Sequence, residues 1–184
     1  YGLVGSEMCI RDRYFFHAAT RELSPYPIGG HDNQKYDIRS LLLDGDHLWI
    51  GTYAKGIRVV NLRTGAVKVY THSRGIPYTI CSNDVLCFYR GRNGEIYVGT
   101  SWGLCRYDAA KDNFMPIINI GSMISITDMH EDMYNHLWIA TSSSGVFTYN
   151  TINGHYKNYQ HEREDSTTIT SNSIITLFAV SYTH

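Results

Sequence analysis

The chain has 184 residues, of which 43% are hydrophobic, and a formal net charge of −1 from 16 Lys and Arg against 17 Asp and Glu. A chain of this length and composition can bury a sizeable core, so disorder is excluded as a description of the whole. The balanced charge lacks the electrostatic signature that nucleic-acid or anionic-membrane binding needs, so we expect neither as a partner of this segment.

Residues 1–13 at the start of the chain, YGLVGSEMCIRDR, fit none of the repeats that follow, and neither does AVSYTH at 179–184. Both look like translated sequencing-adapter read-through, so we expect them to be non-native and leave them out of the fold prediction. A native basic and apolar arm at 1–13 is the alternative.

The four cysteines are spread along the chain at Cys9, Cys81, Cys87 and Cys105. Their spacing contains no Cys-x-x-Cys pair and suggests no disulfide framework, so buried thiols are expected. The glycines match no phosphate-binding fingerprint. The sequence therefore predicts neither a metal site nor a cofactor.

One short apolar run is written three times, as HLWIGTYAKGI from His47, EIYVGTSWGL from Glu95 and HLWIATSSSGV from His136. Measured between residues 48, 96 and 137, the period is 48 and then 41 residues (96 − 48 and 137 − 96). Recurrence at such a period is typical of a repeat architecture.

Each run is preceded by an apolar segment and a tight turn, and it is followed by a glycine, a β-prone stretch and a ten-residue block. The block recurs without gaps from His17, Asn61, Asp108 and Asn150. The unit is thus four short strands, a to d, which is the layout of a β-propeller blade. We predict an all-β fold, a partial β-propeller of about three and a half four-stranded antiparallel blades that is a fragment of a larger propeller.

The predicted boundaries follow the repeat. Strands c and d of a preceding blade occupy 14–35, full blades occupy 36–80, 81–124 and 125–170, and 171–178 forms the first strand of another blade. Since each blade leaves an apolar face for its neighbour to cover, two apolar ends should be exposed, with neighbouring blades of the same larger chain as partners.

The repeated run is predicted to be strand b, which is apolar throughout because neighbouring blades cover both of its faces. Within it a large ring and a small residue recur at fixed positions, as interlocking sheets require. The predicted blade-core residues are Trp49, Gly51, Tyr97, Gly99, Trp138 and Ala140.

The stretches at 48–72, 96–114 and 137–161 closely resemble two-component regulator propeller repeats, whose pattern is roughly Leu-Trp-Ile-Gly-Thr, a gap, Gly-Leu, Tyr-Asp, an aromatic residue and Tyr. The connection HEREDSTTITSNSI at 161–174 resembles that family's linker between blades. The resemblance covers about residues 14–178. Its departures are Ala140 for the motif Gly, Tyr97 for its Trp, and a loop before Gly103 that is one residue short.

The resemblance implies a sensor. In such proteins the propellers form the extracytoplasmic half of a membrane-spanning histidine kinase, often a hybrid with its own receiver and DNA-binding domain, and many examples from gut Bacteroidetes respond to oligosaccharides. For this segment it implies a periplasmic location, a small-molecule or oligosaccharide ligand, a homodimer when full length, and no enzymatic activity of its own. The segment would bind the ligand and pass a change in blade packing toward a membrane.

Propeller geometry places the b-to-c and d-to-a loops on one face, and these loops differ between the copies, which favours ligand specificity there. Trp102 is the first candidate because an indole offers a flat apolar face to a sugar ring and an N–H to a hydroxyl. The alternative is that Trp102 folds onto the neighbouring blade. Further candidates are Tyr53 and Tyr78, with Lys55, Arg74 and Arg106 as partners of an acidic sugar or, alternatively, as solvated surface charges.

Two other function classes stay open. A propeller-fold enzyme of the streptogramin-lyase type would use His72 or His161 with Glu162 or Glu164 as general base and acid. Because the two histidines occupy matching repeat positions, the sequence favours a loop-ordering role for them. A protein-interaction scaffold of the Trp-Asp repeat type is the third class, but that family's Gly-His and Trp-Asp landmarks are missing.

Overall fold

The computed structural model describes residues 2–3, 14–17, 21–25, 36–117 and 123–178. These ranges form fifteen β-strands and no helix, and hence no helix long and apolar enough to cross a membrane. The predicted adapter segments 1–13 and 179–184 lie outside the described residues, except for Gly2–Leu3. So do 18–20 and 26–35 within the predicted segment 14–35.

Most of the described chain folds into three sheets of four antiparallel strands, which we call the first, second and third blades. The first blade contains β4 (Ile38–Asp44), β5 (His47–Thr52), β6 (Ile57–Asn61) and β7 (Val67–Tyr70). The second contains β8 (Val85–Arg90), β9 (Ile96–Thr100), β10 (Gly103–Asp108) and β11 (Asn113–Pro116). The third contains β12 (Ile126–Glu131), β13 (His136–Thr141), β14 (Val146–Asn150) and β15 (Tyr156–Tyr159). In every blade the strands pair in chain order, which confirms the all-β propeller prediction.

A three-stranded sheet precedes these blades, in the order β1 (Gly2–Leu3), β2 (Tyr14–His17) and β3 (Glu22–Pro25). β2 and β3 stand where strands c and d were expected. Gly2–Leu3 pairs with β2 at the edge where strand b of a blade would lie. The sequence interpretation had excluded residues 1–13 from the fold and did not predict this pairing.

The segment 171–178, expected to be a strand, lies along the third blade without forming one. The Ile174 N–H donates to the Thr141 carbonyl at 2.9 Å, and the Thr127 hydroxyl donates to the Ile174 carbonyl at 2.6 Å.

The turns between strands c and d repeat one device. The side-chain oxygen of Asn61 accepts hydrogen bonds from the backbone N–H groups two and three residues later, and Asp108 and Asn150 do the same in their blades. Such Asx turns explain why Asn or Asp opens the ten-residue block in each of the three blades.

The core lies between blades. Trp49 of the first blade packs against Phe88 and Tyr107 of the second, with ring centroids 6.2 Å and 4.9 Å apart. Tyr97 of the second blade, 0% exposed, belongs to a cluster that continues into β12 and β13. A ring from strand b therefore fills each of these two interfaces.

The small residues of strand b stand where the next blade approaches. A Cβ added to Gly51 would lie 2.8 Å from Val85 Cγ1, and one added to Gly99 would lie 2.8 Å from Ile126 Cγ2. Ala140 is fully buried at the matching position of the third blade.

Trp138 differs from the other two predicted core rings because it is only half-buried. Its ring stacks on Tyr159 at 5.9 Å, and its indole N–H donates to Asp132 Oδ2 at 2.9 Å. No further sheet among the described residues covers this face of the third blade, so the ring stays within reach of solvent.

Candidate ligand-binding site on the loop face

Strands b and c of each blade meet at the same end as the connections from one blade to the next, and we call this end the loop face. The hydroxyls of Thr52, Thr100 and Thr141 each donate to the carbonyl of the glycine that follows the b-to-c loop, at 2.7, 2.8 and 2.7 Å. These glycines, Gly56, Gly103 and Gly145, all have positive φ. The repeated Thr and Gly thus close each b-to-c loop, and the residues between them are the ones that vary.

The connections between blades are fastened by histidine and asparagine. The side-chain oxygen of Asn83 accepts the His72 N–H at 2.6 Å, while its carbonyl accepts the Gly56 N–H at 2.8 Å. The His72 ring completes the tie by donating from Nδ1 to the Ile80 carbonyl at 2.7 Å, since a carbonyl can only accept.

The same set recurs one connection later. Asn172 binds the His161 N–H at 2.6 Å and the Gly145 N–H at 2.9 Å, and His161 Nδ1 donates to the Ile169 carbonyl at 2.8 Å. The structure therefore gives both histidines a loop-ordering role, in agreement with their recurrence in the sequence.

Tyr53 lies on the loop face of the first blade and is 50% exposed. The guanidinium of Arg39 sits 5.1 Å from the centre of its ring, which is cation–π geometry. Arg39 reaches this position from a β-bulge, because the pairing of β4 with β5 shifts register between Ile38 and Ser40. Bulges of this kind turn a side chain away from its ladder.

Asp84 lies where the next blade begins. Its Oδ1 is buried without a hydrogen-bond partner. Burial raises the pKa of Asp84 above its usual value, an effect that the Arg39 charge opposes and the Asp37 charge reinforces. Asp84 thus lies within the field of the Arg39 and Asp37 charges of the first blade.

Trp102 occupies the b-to-c loop of the second blade and is 56% exposed. The preceding residue, Ser101, donates its N–H to the Asp84 carbonyl at 3.0 Å and shares a 3.0 Å hydrogen bond with the Ser82 hydroxyl. The loops that carry Tyr53 and Trp102 are therefore neighbours, since Gly56 of the first binds the Asn83 carbonyl and Ser101 of the second binds the Asp84 carbonyl.

The other loop-face candidates lie further out. Tyr78 is 53% exposed at a left-handed φ of 64° in the connection from β7 to β8, and Arg74 is exposed in the same connection. The ammonium of Lys55 lies 5.0 Å from the centre of the buried Tyr36 ring and is thereby directed toward its own blade.

Arg106 is a correction to the predicted ligand set. It lies inside β10, paired with Tyr97 and Met115, and its guanidinium binds Glu95 Oε1 at 2.7 Å. Glu95 precedes β9 at the opposite end of the blade, so Arg106 is directed away from the loop face.

Arg39, Asp37 and Asp84 were missed from the sequence. A signal was available for two of them, because an aspartate immediately precedes strand a in both the first and the second blade. The bulge that turns Arg39 toward Tyr53 depends on how two strands pair, which no local pattern reports. No cluster of three or more His, Cys, Asp or Glu side chains suited to a metal ion occurs within the described ranges.

No family model and no curated protein matches the chain. Solved structures do match it. The extracellular domain of a protein assigned as a hybrid two component system of B. thetaiotaomicron superposes with a TM-score of 0.71 at 23% identity, over 89% of this chain and 20% of that one. A second such domain from the same organism gives 0.66 at 20% identity, over 91% and 28%.

Virginiamycin B lyase from Staphylococcus aureus is similar at a TM-score of 0.52 and 15% identity, over 66% of this chain and 40% of the enzyme. The chain thus spans less than a third of the two extracellular domains and less than half of the lyase. At these identities the likeness shows the fold alone. The chain is therefore a segment of a β-propeller, with extracellular domains of two component systems among its structural neighbours, as the resemblance in its sequence led us to expect.

Proposed function

We propose that this chain is part of the extracytoplasmic sensor propeller of a two-component system and binds a saccharide on its loop face. The observation that carries this proposal is the pair of exposed rings on neighbouring loops, Tyr53 beside Arg39 and Trp102 next to Ser101, which binds the Asp84 carbonyl. Aromatic faces beside a few fixed polar groups suit a sugar ring, which presents apolar C–H faces and a rim of hydroxyls.

The polar groups supply both kinds of hydrogen-bonding partner. The Asp84 Oδ1 atom is buried without a protein partner, so a sugar hydroxyl that reaches it would supply the missing donor. Arg39 is a donor whose charge also suits an acidic sugar. The rings would hold the sugar plane, and the two charges would select its orientation.

The structural neighbours support the location and the role. Two of them are extracellular domains of two component systems, which makes an extracytoplasmic position the natural proposal for this chain as well. Because the chain spans only part of those domains, signalling across a membrane and dimer formation are proposed for the longer protein rather than for this segment.

A route for the signal is built into the same loops. Asp84 directly follows Asn83, which binds the first blade, and directly precedes β8 of the second blade. A ligand that draws Asp84 and Tyr53 together would therefore bear on the packing of the two blades. This is the coupling that a sensor needs.

A lyase function has less support, although a propeller lyase is among the neighbours. His72 and His161 both use Nδ1 to hold a loop carbonyl, and the two sets are copies of one another. A general acid–base pair built once from unlike groups would suit catalysis better.

The test begins with a glycan array probed with the full 184-residue chain, followed by calorimetry on the best binder. We expect Tyr53→Ala and Trp102→Ala each to weaken binding by about tenfold, the usual effect of truncating an aromatic anchor. Tyr134→Ala is the matched control, since Tyr134 is 68% exposed in the a-to-b turn at the other end of the third blade. Equal losses in all three variants, or no binding to any glycan by the folded chain, would contradict the proposal.

A further inference from the structure

A second aromatic site lies at the opposite end of the blades, between the first and the second. An open cavity of about 470 Å³ is lined by the rings of Trp49, Tyr70 and Tyr107 and by Val59 and Ala66. We call it the aromatic cavity. Its volume falls within the range of small-molecule sites, and its lining combines aromatic and aliphatic surface with a few polar groups.

The cavity lies along a row of side chains whose central residue is smaller in the first blade than in the second. Adjacent strands align these rows as Trp49–Val59–Lys68, Tyr97–Arg106–Met115 and Trp138–Thr148–Lys157. In the second blade the central residue is Arg106, whose side chain extends to Glu95 and occupies the corresponding space. In the first blade the central residue is Val59, which leaves that space open.

The indole N–H of Trp49 has no partner, although the residue is 4% exposed. The matching rings are both satisfied: Trp138 donates to Asp132 at 2.9 Å, and Tyr97 donates to Glu95 at 2.9 Å. A buried donor without an acceptor is destabilising and rare in folded proteins, so its presence requires an explanation.

Asp44 explains how the donor loses its acceptor. Asp44 occupies the position in the first blade that Asp132 occupies in the third. Its carboxylate, however, binds Arg90 of the second blade at 2.9 Å. Asp44 therefore lines the cavity without serving Trp49. The Trp49 N–H is buried, so a ligand acceptor reaches it only if the side chains that cover it move. The acceptor then takes the place that Asp132 fills in the third blade.

The charges around the cavity are already neutralised. Lys68 is bound by Asp112, and Asp44 is bound by Arg90. A charged ligand would have to break one of these pairs, whereas an uncharged ligand would leave both in place. The remaining polar lining, His47, Asn61 and Thr64, offers further hydrogen-bonding groups.

We propose that the aromatic cavity binds a small, uncharged, ring-shaped ligand that carries a hydrogen-bond acceptor, the chemistry of one pyranose unit of a neutral saccharide. Trp49, Tyr70 and Tyr107 enclose the ring, and the Trp49 N–H receives the acceptor. The inference does not rest on the loop-face proposal, because none of the loop-face residues lines this cavity.

The test uses Trp49 as its own reporter. In the full chain, Trp102→Phe and Trp138→Phe leave Trp49 as the one tryptophan of the three. We expect a panel of neutral methyl pyranosides (gluco, galacto, manno and xylo) to change its fluorescence saturably with at least one member. Glucuronic acid, the charged comparison, should bind about tenfold more weakly or not at all. Trp102→Phe also alters the loop-face site, so a signal that survives it is not explained by that site.

Two alanines at the outer turns locate the binding. Ala66 lines the cavity, so Ala66→Phe should reduce the affinity by about tenfold by occupying the site. Ala110 is the matched control, because it is exposed in the same turn of the second blade and does not line the cavity. Saturation-transfer NMR on chains with all three tryptophans intact repeats the comparison independently of the fluorescent reporter.

The inference is overturned if no neutral pyranoside gives a saturable change in a chain whose circular dichroism shows intact sheets. It is also overturned if glucuronic acid binds as well as the neutral sugars, or if Ala66→Phe and Ala110→Phe behave alike. Loss of the loop-face signal in Trp102→Ala with retention of the Trp49 response would separate the two sites.

Discussion

The glycine at position 99 shows how one missing carbon determines the approach of two blades. An added Cβ would lie 2.5 Å from the Cys87 sulfur and 2.8 Å from Ile126, so the clash involves both its own sheet and the next one. Strand backbone at this position suits any residue, and the restriction is therefore one of space. Packed interiors tolerate such insertions poorly.

We predict that Gly99→Ala lowers the free energy of unfolding by about 1–3 kcal/mol, the usual cost of overpacking a core. Urea unfolding followed by circular dichroism measures the difference. Ser143→Ala, in an exposed loop of the third blade, serves as the control and should stay within about 0.5 kcal/mol of the parent chain. An unchanged midpoint for Gly99→Ala would show that the blades can separate freely at this point.

The surroundings of Asp112 change the pKa of its carboxyl group. The Lys68 ammonium and the hydroxyls of Tyr70 and Tyr107 lower the pKa of Asp112 from 3.8 to about 2. A lowered pKa means that the carboxylate stabilises the fold above pH 3.8, and that this contribution is lost as the pH falls toward 2. Because the side chain is 42% exposed, solvent screens the effect and keeps it small.

We therefore expect the parent chain to be more stable than Asp112→Asn at pH 6 and the difference to shrink between pH 3.8 and about 2. Asparagine tolerates the left-handed φ of 53° at this position, so the substitution tests the charge rather than the backbone. Urea midpoints at a series of pH values measure the difference. A constant difference across that interval would mean that Asp112 does not titrate as described.

At the scale of the element, the connection between blades is a fastened loop rather than a free one. Residues 71–84 are held by the His72, Ile80 and Asn83 contacts, and residues 160–173 by the matching set around Asn172. The two connections therefore offer an experiment and its control within a single molecule.

We predict that Asn83→Ala raises amide exchange in 71–84 by about fivefold, the effect of losing one hydrogen bond worth about 1 kcal/mol. Exchange in 160–173 should not change, since Asn172 is untouched. Hydrogen exchange followed by mass spectrometry resolves the two segments. Equal acceleration in both would indicate global destabilisation rather than release of one loop.

Element-scale structure is also where the sequence predicts most. The recurrence of Leu-Trp-Ile-Gly-Thr, the Asx residues and the turn glycines is sufficient to assign four strands to each of the three blades. Local chemistry determines these features: a Thr hydroxyl closes a loop, and Asn or Asp starts a turn. Single-sequence reasoning succeeds where such local contacts determine the conformation.

The candidate site was less predictable because it depends on contacts between blades. Trp102 and Tyr53 stand out in the sequence as aromatic residues in variable loops, but Arg39 joins them only through a bulge, and Arg106 leaves the set only through its pairing with Glu95. The aromatic cavity depends likewise on the contrast between Val59 and Arg106 in aligned strands, which becomes visible once the register is known.

At the scale of the whole molecule, the described chain is an open stack of sheets. Leu41 and Leu43 are exposed on the first blade, and Ile175 and Phe178 are exposed after the third. Side chains of this size are usually buried where another sheet follows. The half-buried Trp138 and these exposed residues therefore both mark blade faces that no described sheet covers.

The central claim is tested most directly by separating effects on binding from effects on stability. Trp102→Ala and Tyr97→Ala are compared in the full chain, with calorimetry for the affinity and urea unfolding for the stability. We predict that Trp102→Ala weakens saccharide binding about tenfold with unchanged unfolding, while Tyr97→Ala costs about 3–5 kcal/mol of stability as a buried large-to-small change. If Trp102→Ala instead unfolds the chain, or leaves the affinity intact, the loop face is not the binding site and the sensor proposal loses its main support.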